Sequence, residues 1–230
     1  MSEREYVSIS GGADSTALAL YMHDQGHQFE LVFADTGAEL PETYWCVSAV
    51  AQHIKHSLVV VSGGTFFQRL AVRKYYLPAA RRRWCTAELK IRPLEYLEGL
   101  HHIGICAGEE HRMPEVSRPL VKAGISRQDA RKMAKKKGLL NPIYQWRSHT
   151  SCFCCPFQRI ADWRGLLIQH PDLYRLAEQW ETIARAVGRE MEVPPVTWID
   201  NHTLTGLREA EEHQLKFWPE PEEPCAICTV

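Results

Sequence analysis

Residues 6–16, Tyr6-Val7-Ser8-Ile9-Ser10-Gly11-Gly12-Ala13-Asp14-Ser15-Thr16, decide how this chain is read. A short apolar run leads into a glycine turn, and a helix-like stretch, Ala17-Leu18-Ala19-Leu20-Tyr21-Met22, follows. Strand, glycine turn and a helix opening with Ser and Thr make an anion cradle. The two glycines let backbone N–H groups approach an anion closely. The helix N-terminus adds unpaired donors and the positive end of a dipole. Asp14 repels a bare phosphate, but fits if it holds Mg²⁺ between itself and a polyphosphate. No Gly-Lys-Ser/Thr closes the loop, so it is not a Walker loop. The plainer alternative is a glycine turn capped by Ser or Asp.

Working outward, strand-like runs alternate with helical ones. Strands are expected over residues 7–10, 29–34, 57–61 and 102–107. Helices are expected from Pro41 to about Lys55 and from Thr65 to about Tyr75. This alternation predicts a doubly wound, Rossmann-like α/β domain with a mostly parallel sheet. Ligands bind at the C-terminal strand ends of such sheets. The first strand ends at Ser10 and the second at Asp35-Thr36-Gly37, so these tips are expected to share a nucleotide crevice. The contacts expected there are Ser10, Gly11, Gly12, Asp14, Ser15, Thr16, Asp35, Thr36 and Gly37.

Farther on, Ser126-Arg127-Gln128-Asp129 reads as a helix start with a partial capping box, and Gly138 as its stop. Leu173, Leu176, Ala177, Trp180, Ile183, Ala184 and Val187 form a packing stripe at helical spacing, opened by Pro171 and closed by Gly188. Pro194-Pro195 and the proline-rich stretch 218–224 suggest an extended tail. The expected organisation is a nucleotide-binding domain over 1–190, with a cysteine-rich segment at 151–157, and a tail over 191–230 with its own cysteine pair.

A formal net charge of −1 in 230 residues does not mark a global polyanion or membrane binder. The charged start and the lack of an apolar span of membrane length predict a cytoplasmic protein. Eight cysteines in that compartment argue for metal or redox chemistry more than for disulfides.

The loop Ser10–Ser15 resembles the PP-loop of ATP pyrophosphatases, the adenine nucleotide alpha-hydrolase superfamily. Three further blocks narrow the resemblance to its phosphoadenosine phosphosulfate reductase family. They are Asp35-Thr36-Gly37 with Pro41-Glu42-Thr43, then Cys85 through Lys90 to Pro93, then Cys152-Phe153-Cys154-Cys155. The chain is most similar to a branch of small reductase-like proteins with Arg-x-Cys-Thr, here Arg83–Thr86, a Gly104-Ile105 block leading to His111-Arg112-Met113, and a pair such as Cys225 and Cys228. Sulfur-transfer enzymes of DNA phosphorothioation look like more distant relatives. Two departures matter. The loop is intact where sulfonucleotide reductases have a degenerate one, which favours ATP cleavage. Trp84-Cys85 stands where the iron–sulfur reductases carry adjacent cysteines.

The resemblance implies ATP and Mg²⁺ as ligands, with Asp14, Lys90 and Arg112 as catalytic groups. Cys152 and Cys155 are spaced to share a metal. With Cys85 and a fourth ligand from the tail, Cys228 or Cys225, they suit a 4Fe-4S cluster; the fourth ligand is absent in the sulfur-transfer enzymes the chain resembles, whose open iron binds sulfide. A four-cysteine Zn²⁺ site with Cys225 and Cys228, or a redox dithiol in the tail, competes with it. Cys154, Cys46 and Cys106 read as packing residues. Arg81-Arg82-Arg83 is either a substrate-neutralising run or a solvated loop. Arg131, Lys132, Lys135, Lys136 and Lys137 read as a solvated face or as contacts to a nucleic-acid backbone.

Three functions follow. The first is ATP-dependent activation of an acceptor coupled to sulfur transfer. The second is sulfonucleotide reduction by Cys225 or Cys228. The third is a nucleotide-binding accessory module with structural zinc. The expected partners are a nucleotide, an acceptor that could be a nucleic acid or nucleobase, and a second copy of the chain in a homodimer; no membrane is implied.

Overall fold

The computed structural model describes residues 4–79, 82–113, 115–192 and 196–217. The chain divides into two compact units. The first runs to Lys74 and again from Pro78 to Phe157; the second holds Tyr75–Leu77 and resumes at Gln158.

In the first unit four strands, β1 (Glu5–Ser8), β2 (Glu30–Ala34), β3 (Leu58–Val61) and β4 (Leu100–His102), form one parallel sheet in the order β3-β2-β1-β4. The chain steps outward from β1 to β3, then returns to the other side of β1 for β4. The winding direction therefore reverses beside β1, where doubly wound folds open their crevice. Helices α1 (Ala13–Asp24), α2 (Pro41–Ile54), α3 (Phe66–Val72) and α4 (Arg127–Lys136) flank the sheet. Helix α1 is apolar almost all round, with Ala17, Leu18, Ala19 and Leu20 buried, as a central helix must be. It packs on α4, where the small Ala130 and Ala134 allow close approach. Helix α4 starts as its sequence dictates: the Ser126 hydroxyl accepts from the Asp129 N–H, and the Asp129 carboxylate accepts from the Ser126 N–H.

Two strands differ from expectation. Pairing of β1 ends early, with Ile9 N–H still donating to Val32 O at 2.9 Å, because Gly11 turns the chain at φ +69°. β4 stops at His102, not residue 107. There Gly104 lays its backbone on the first turn of α1: a Cβ would stand 2.8 Å from the Ser15 nitrogen. Residues 103–107 instead bond across to Ser117 and Ile125.

Cys85 lies in a helical segment made of Trp84–Thr86, a π-helical turn Ala87–Ile91, and Arg92–Glu95. Pro93 has no N–H to offer the turn before it, and that turn widens to i→i+5. Lys90 sits on the widened turn.

The second unit contains α5 (Ile160–Gln169), α6 (Pro171–Glu190) and α7 (Leu204–Phe217). Residue 190, the expected domain edge, is the last of α6 and lies inside this unit. Helix α7 stands where extended tail was expected. Its start is fixed by Glu181, 1% exposed, whose carboxylate accepts from the Leu204 N–H at 2.7 Å and the Trp198 N–H at 2.9 Å. Tyr174 and Trp163 fill the core between, with Trp198 beside them. No helix among the described residues is long and apolar enough to cross a membrane.

Candidate functional site

Gly12 is the N-cap of α1, in extended conformation and without a side-chain cap, so the loop presents backbone N–H groups at the helix mouth. Both glycines sit where a side chain has little room, and Gly11 also has φ +69°. A Cβ on Gly11 would meet Thr43 at 3.1 Å, and one on Gly12 would meet the Thr150 hydroxyl at 2.6 Å. The loop is laced internally. Ser15 Oγ accepts from the Ser10 N–H at 3.1 Å and donates to Gly12 O at 3.1 Å. It is braced from outside by residues far along the chain: Asn141 Nδ2 donates to Gly11 O at 2.9 Å, and the Tyr144 hydroxyl accepts from the Ala13 N–H at 3.0 Å.

The loop opens into a cleft of about 640 Å³. Ser10, Gly12, Asp14 and Ser15 line it, and so do Lys90 and Arg112. Gly11 and Thr16 do not: Gly11 is buried, and Thr16 is turned inward with its hydroxyl 3.9 Å from the Cys46 sulfur. At the second strand tip the lining residues are Val32, Phe33, Ala34 and Glu39 instead of the triplet expected there. Asp35 accepts from the Tyr44 hydroxyl and the Gly37 N–H, each at 2.8 Å, and Gly37 stacks on Thr65. The cleft also reaches Ile103 and Gly104 beyond β4, so three strand tips contribute to it.

Cations converge on one side. Arg127 approaches Asp14 at 3.5 Å and Glu109 at 2.7 Å, and Arg112 shares Glu109 at 2.8 Å. Burial pushes the Asp14 carboxyl up, and Arg127 opposes the shift. One half-buried carboxylate facing a polyphosphate cradle is the donor set that Mg²⁺ takes together with phosphate oxygens, so Asp14 fits that ion. Arg131 also lines the cleft and stacks on Tyr144 at 4.3 Å. It belongs to the site, not only to the solvated face.

The cysteine segment approaches from the other side. Glu39, with its side chain 3% exposed, is the hub of a polar corner. Its Oε1 accepts from the Thr36 hydroxyl at 2.9 Å, the Cys152 thiol at 3.3 Å and the Lys90 ammonium at 3.4 Å. Cys152 is held by Arg147, 3% exposed, which donates to Cys152 O at 3.0 Å and the Ser151 hydroxyl at 2.8 Å. Burial, then the Glu39 charge, push the Cys152 thiol up to about 12, while Lys90 pulls it down. The Cys152 sulfur, then Glu39, raise the Lys90 ammonium in turn. Burial, then Cys155, raise the Cys85 thiol. Cys154 is fully buried, as a packing residue should be.

Cys155 is near enough to perturb both Cys85 and Cys152. Yet among the described residues no three His, Cys, Asp or Glu side chains converge on a point a metal could occupy. A 4Fe-4S or Zn²⁺ site is thus not shown by the described donors, and its expected tail ligands lie beyond them. Cys225, Cys228 and Arg81 lie outside the described residues.

Sequence reasoning missed Glu39, Gly104, Arg127, Asn141, Tyr144, Arg147 and Thr150 as parts of the site. Arg127 and Arg131 did leave a signal, an i, i+4 pair directly after a capped helix start. Asn141, Tyr144 and Thr150 left none, since they act from a distant loop.

The sheet, the loop and the cleft at its strand ends define a PP-loop nucleotide-binding protein. A phosphoadenosine phosphosulfate reductase domain matches residues 4–151, and the chain belongs to that family. The match ends one residue before Cys152. A phosphoadenylyl-sulfate reductase from Candida auris, solved as a phosphate complex, shares the fold with a TM-score of 0.51 at 12% identity, covering 66% of this chain and 82% of that one. An uncharacterised protein of Methanocaldococcus jannaschii is 26% identical over 204 residues, which is 78% of this chain and 41% of that protein. A second from the same organism is 36% identical over 93 residues, 40% of this chain and 22% of that protein. The chain thus spans less than half the length of these curated relatives.

Proposed function

We propose that this chain binds ATP with Mg²⁺ in the cleft and cleaves it to AMP and pyrophosphate, activating an acceptor that then receives sulfur. One observation carries the reading: an intact Ser10-Gly11-Gly12-Ala13-Asp14-Ser15 loop opens into a cleft lined by Lys90, Arg112, Arg127 and Arg131. Mg²⁺, when bound, neutralises phosphate charge and holds the chain of phosphates in line. The N–H groups at the mouth of α1 orient the phosphates, and the arginines and Lys90 stabilise the departing pyrophosphate. An acceptor oxygen attacks the α-phosphorus; the bond to the β-phosphate oxygen breaks and its electron pair leaves with pyrophosphate. A sulfur nucleophile then attacks the adenylated centre, forms a bond there and expels AMP. The corner around Cys152, with Cys85 and Cys155 nearby, is where that sulfur is handled. A 4Fe-4S cluster or Zn²⁺ on these cysteines is the finer form of the reading. No step above depends on one.

The test is to incubate the protein with Mg²⁺ and ATP labelled at the α-phosphate, with water and then hydroxylamine standing in for the acceptor oxygen, and to measure pyrophosphate with AMP or its adduct. Stoichiometric release, lost at least 100-fold in Asp14→Asn, supports the reading. Reduction of a sulfonucleotide with no pyrophosphate released from ATP would replace it by the reductase function. Tight nucleotide binding without turnover would leave an accessory module. Iron, sulfide and zinc measured after oxygen-free purification decide the metal.

A further inference from the structure

The overall charge conceals a strong local one. Between residues 112 and 137 the chain carries nine Lys and Arg against two Asp and Glu, inside a protein of net charge −1. Helix α4 arranges much of that charge in rows. Arg127, Arg131 and Lys135 follow one another at i, i+4 and i+8, a line about 12 Å long at about 1.5 Å per residue. Lys132 and Lys136 make the adjoining row. All five are exposed, while the opposite face, Ala130 and Ala134, is buried against α1. The first two members line the nucleotide cleft, so the row begins inside the site and leads out of it.

The chemistry of the surface around the row selects its partner. Protein interfaces have an apolar and aromatic centre. Here the described exposed large apolar residues skip the whole span between Met113 and Phe157. A row of cations with no apolar centre suits a backbone of regularly spaced phosphates. We propose that Arg131, Lys132, Lys135 and Lys136 form a docking track for a nucleic-acid strand, which carries the acceptor group into the cleft. The proposal deepens the functional reading above by naming the acceptor class, and it rests on that reading for the reaction alone.

The experiment is fluorescence anisotropy of a labelled 20-nucleotide single-stranded DNA, and of the RNA of the same sequence, titrated with the full chain at several salt concentrations without nucleotide. The expected result is saturable binding to at least one strand, with log K falling against log salt at a slope of about −3. The triple variant Lys132→Gln, Lys135→Gln, Lys136→Gln should bind at least tenfold more weakly at low salt and flatten the slope by about 2. These side chains are exposed and outside the cleft, so ATP affinity measured without nucleic acid should stay at the wild-type value. Absence of saturable binding to both strands overturns the proposal. So does a triple variant that binds as tightly as the wild type, or polyglutamate of equal charge that binds as tightly as the oligonucleotide. Because binding is read without ATP, failure of ATP cleavage would overturn the functional reading and not this one.

Discussion

The phosphate loop and the thiol corner lie in one unit but are built on different principles. The loop is backbone chemistry: two glycines, a helix start and N–H groups, all within residues 10–16. The corner is side-chain chemistry gathered from Thr36, Glu39, Lys90 and Cys152, so its members come from three separate stretches. A loop of the first kind tolerates little change in shape. A corner of the second kind tolerates changes in shape better than changes in charge.

The largest expected effect breaks the loop from outside it. Gly104→Val places a side chain against the backbone of Asp14 and Ser15, where no flexible atom can yield. We expect nucleotide binding, followed by calorimetry, to fall below detection, with about 1–3 kcal/mol of lost stability in urea unfolding. Wild-type binding in this variant would mean that the contact with α1 does not shape the cradle.

The corner should answer instead to charge at constant shape. Glu39→Gln removes a carboxylate that, after burial, raises the Cys152 thiol, so alkylation of Cys152 at pH 8 should speed up. Lys90→Gln removes the group that lowers it and should slow the same reaction. In the wild type, with the thiol pushed up to about 12, the rate should climb steadily across the alkaline range without levelling near pH 9. Opposite signs for the two variants, read by mass spectrometry of the modified peptide, are required. Equal signs would show that shape, not charge, governs the thiol.

The second unit offers a control. Glu181→Ala leaves the Leu204 and Trp198 N–H groups without their acceptor. It should cost about 1–3 kcal/mol, seen as a lower melting temperature, with ATP affinity unchanged. A matching loss of ATP affinity would mean that the loop depends on the second unit.

The smallest effect is expected at Tyr144→Phe. The hydroxyl that accepts from the Ala13 N–H occupies a donor that a phosphate oxygen can use. Its removal should destabilise the free protein by about 1 kcal/mol and tighten ATP binding about fivefold, as the freed donor pairs with phosphate. Weaker binding would show that Tyr144 serves to order the loop.

Particular residues show why some of this was legible and some was not. Gly11, Gly12 and Asp14 could be read because a strand, a turn and a helix start are local events with local signatures. Ser126 and Asp129 announced α4 for the same reason. Thr16 misled, because the motif counts residues while the helix turns them: at its position on α1 the hydroxyl faces Cys46 and the core. Arg131 was ambiguous, since exposure on a helix says nothing of what lies opposite. Glu39 was passed over inside a motif whose named members, Asp35 and Gly37, turn out to hold the turn together.

The sequence alone determined the parallel α/β class, the loop and its anion chemistry, because strand, glycine turn and capped helix follow from backbone preferences over a few residues. Only the tertiary structure decided which groups share the cleft. Gly104 against α1, Tyr144 and Asn141 on the loop, Arg127 beside Asp14, and Glu39 between Lys90 and Cys152 are all long-range contacts. Their energies arise from close approach, burial and charge, quantities that exist only once distant segments have packed together.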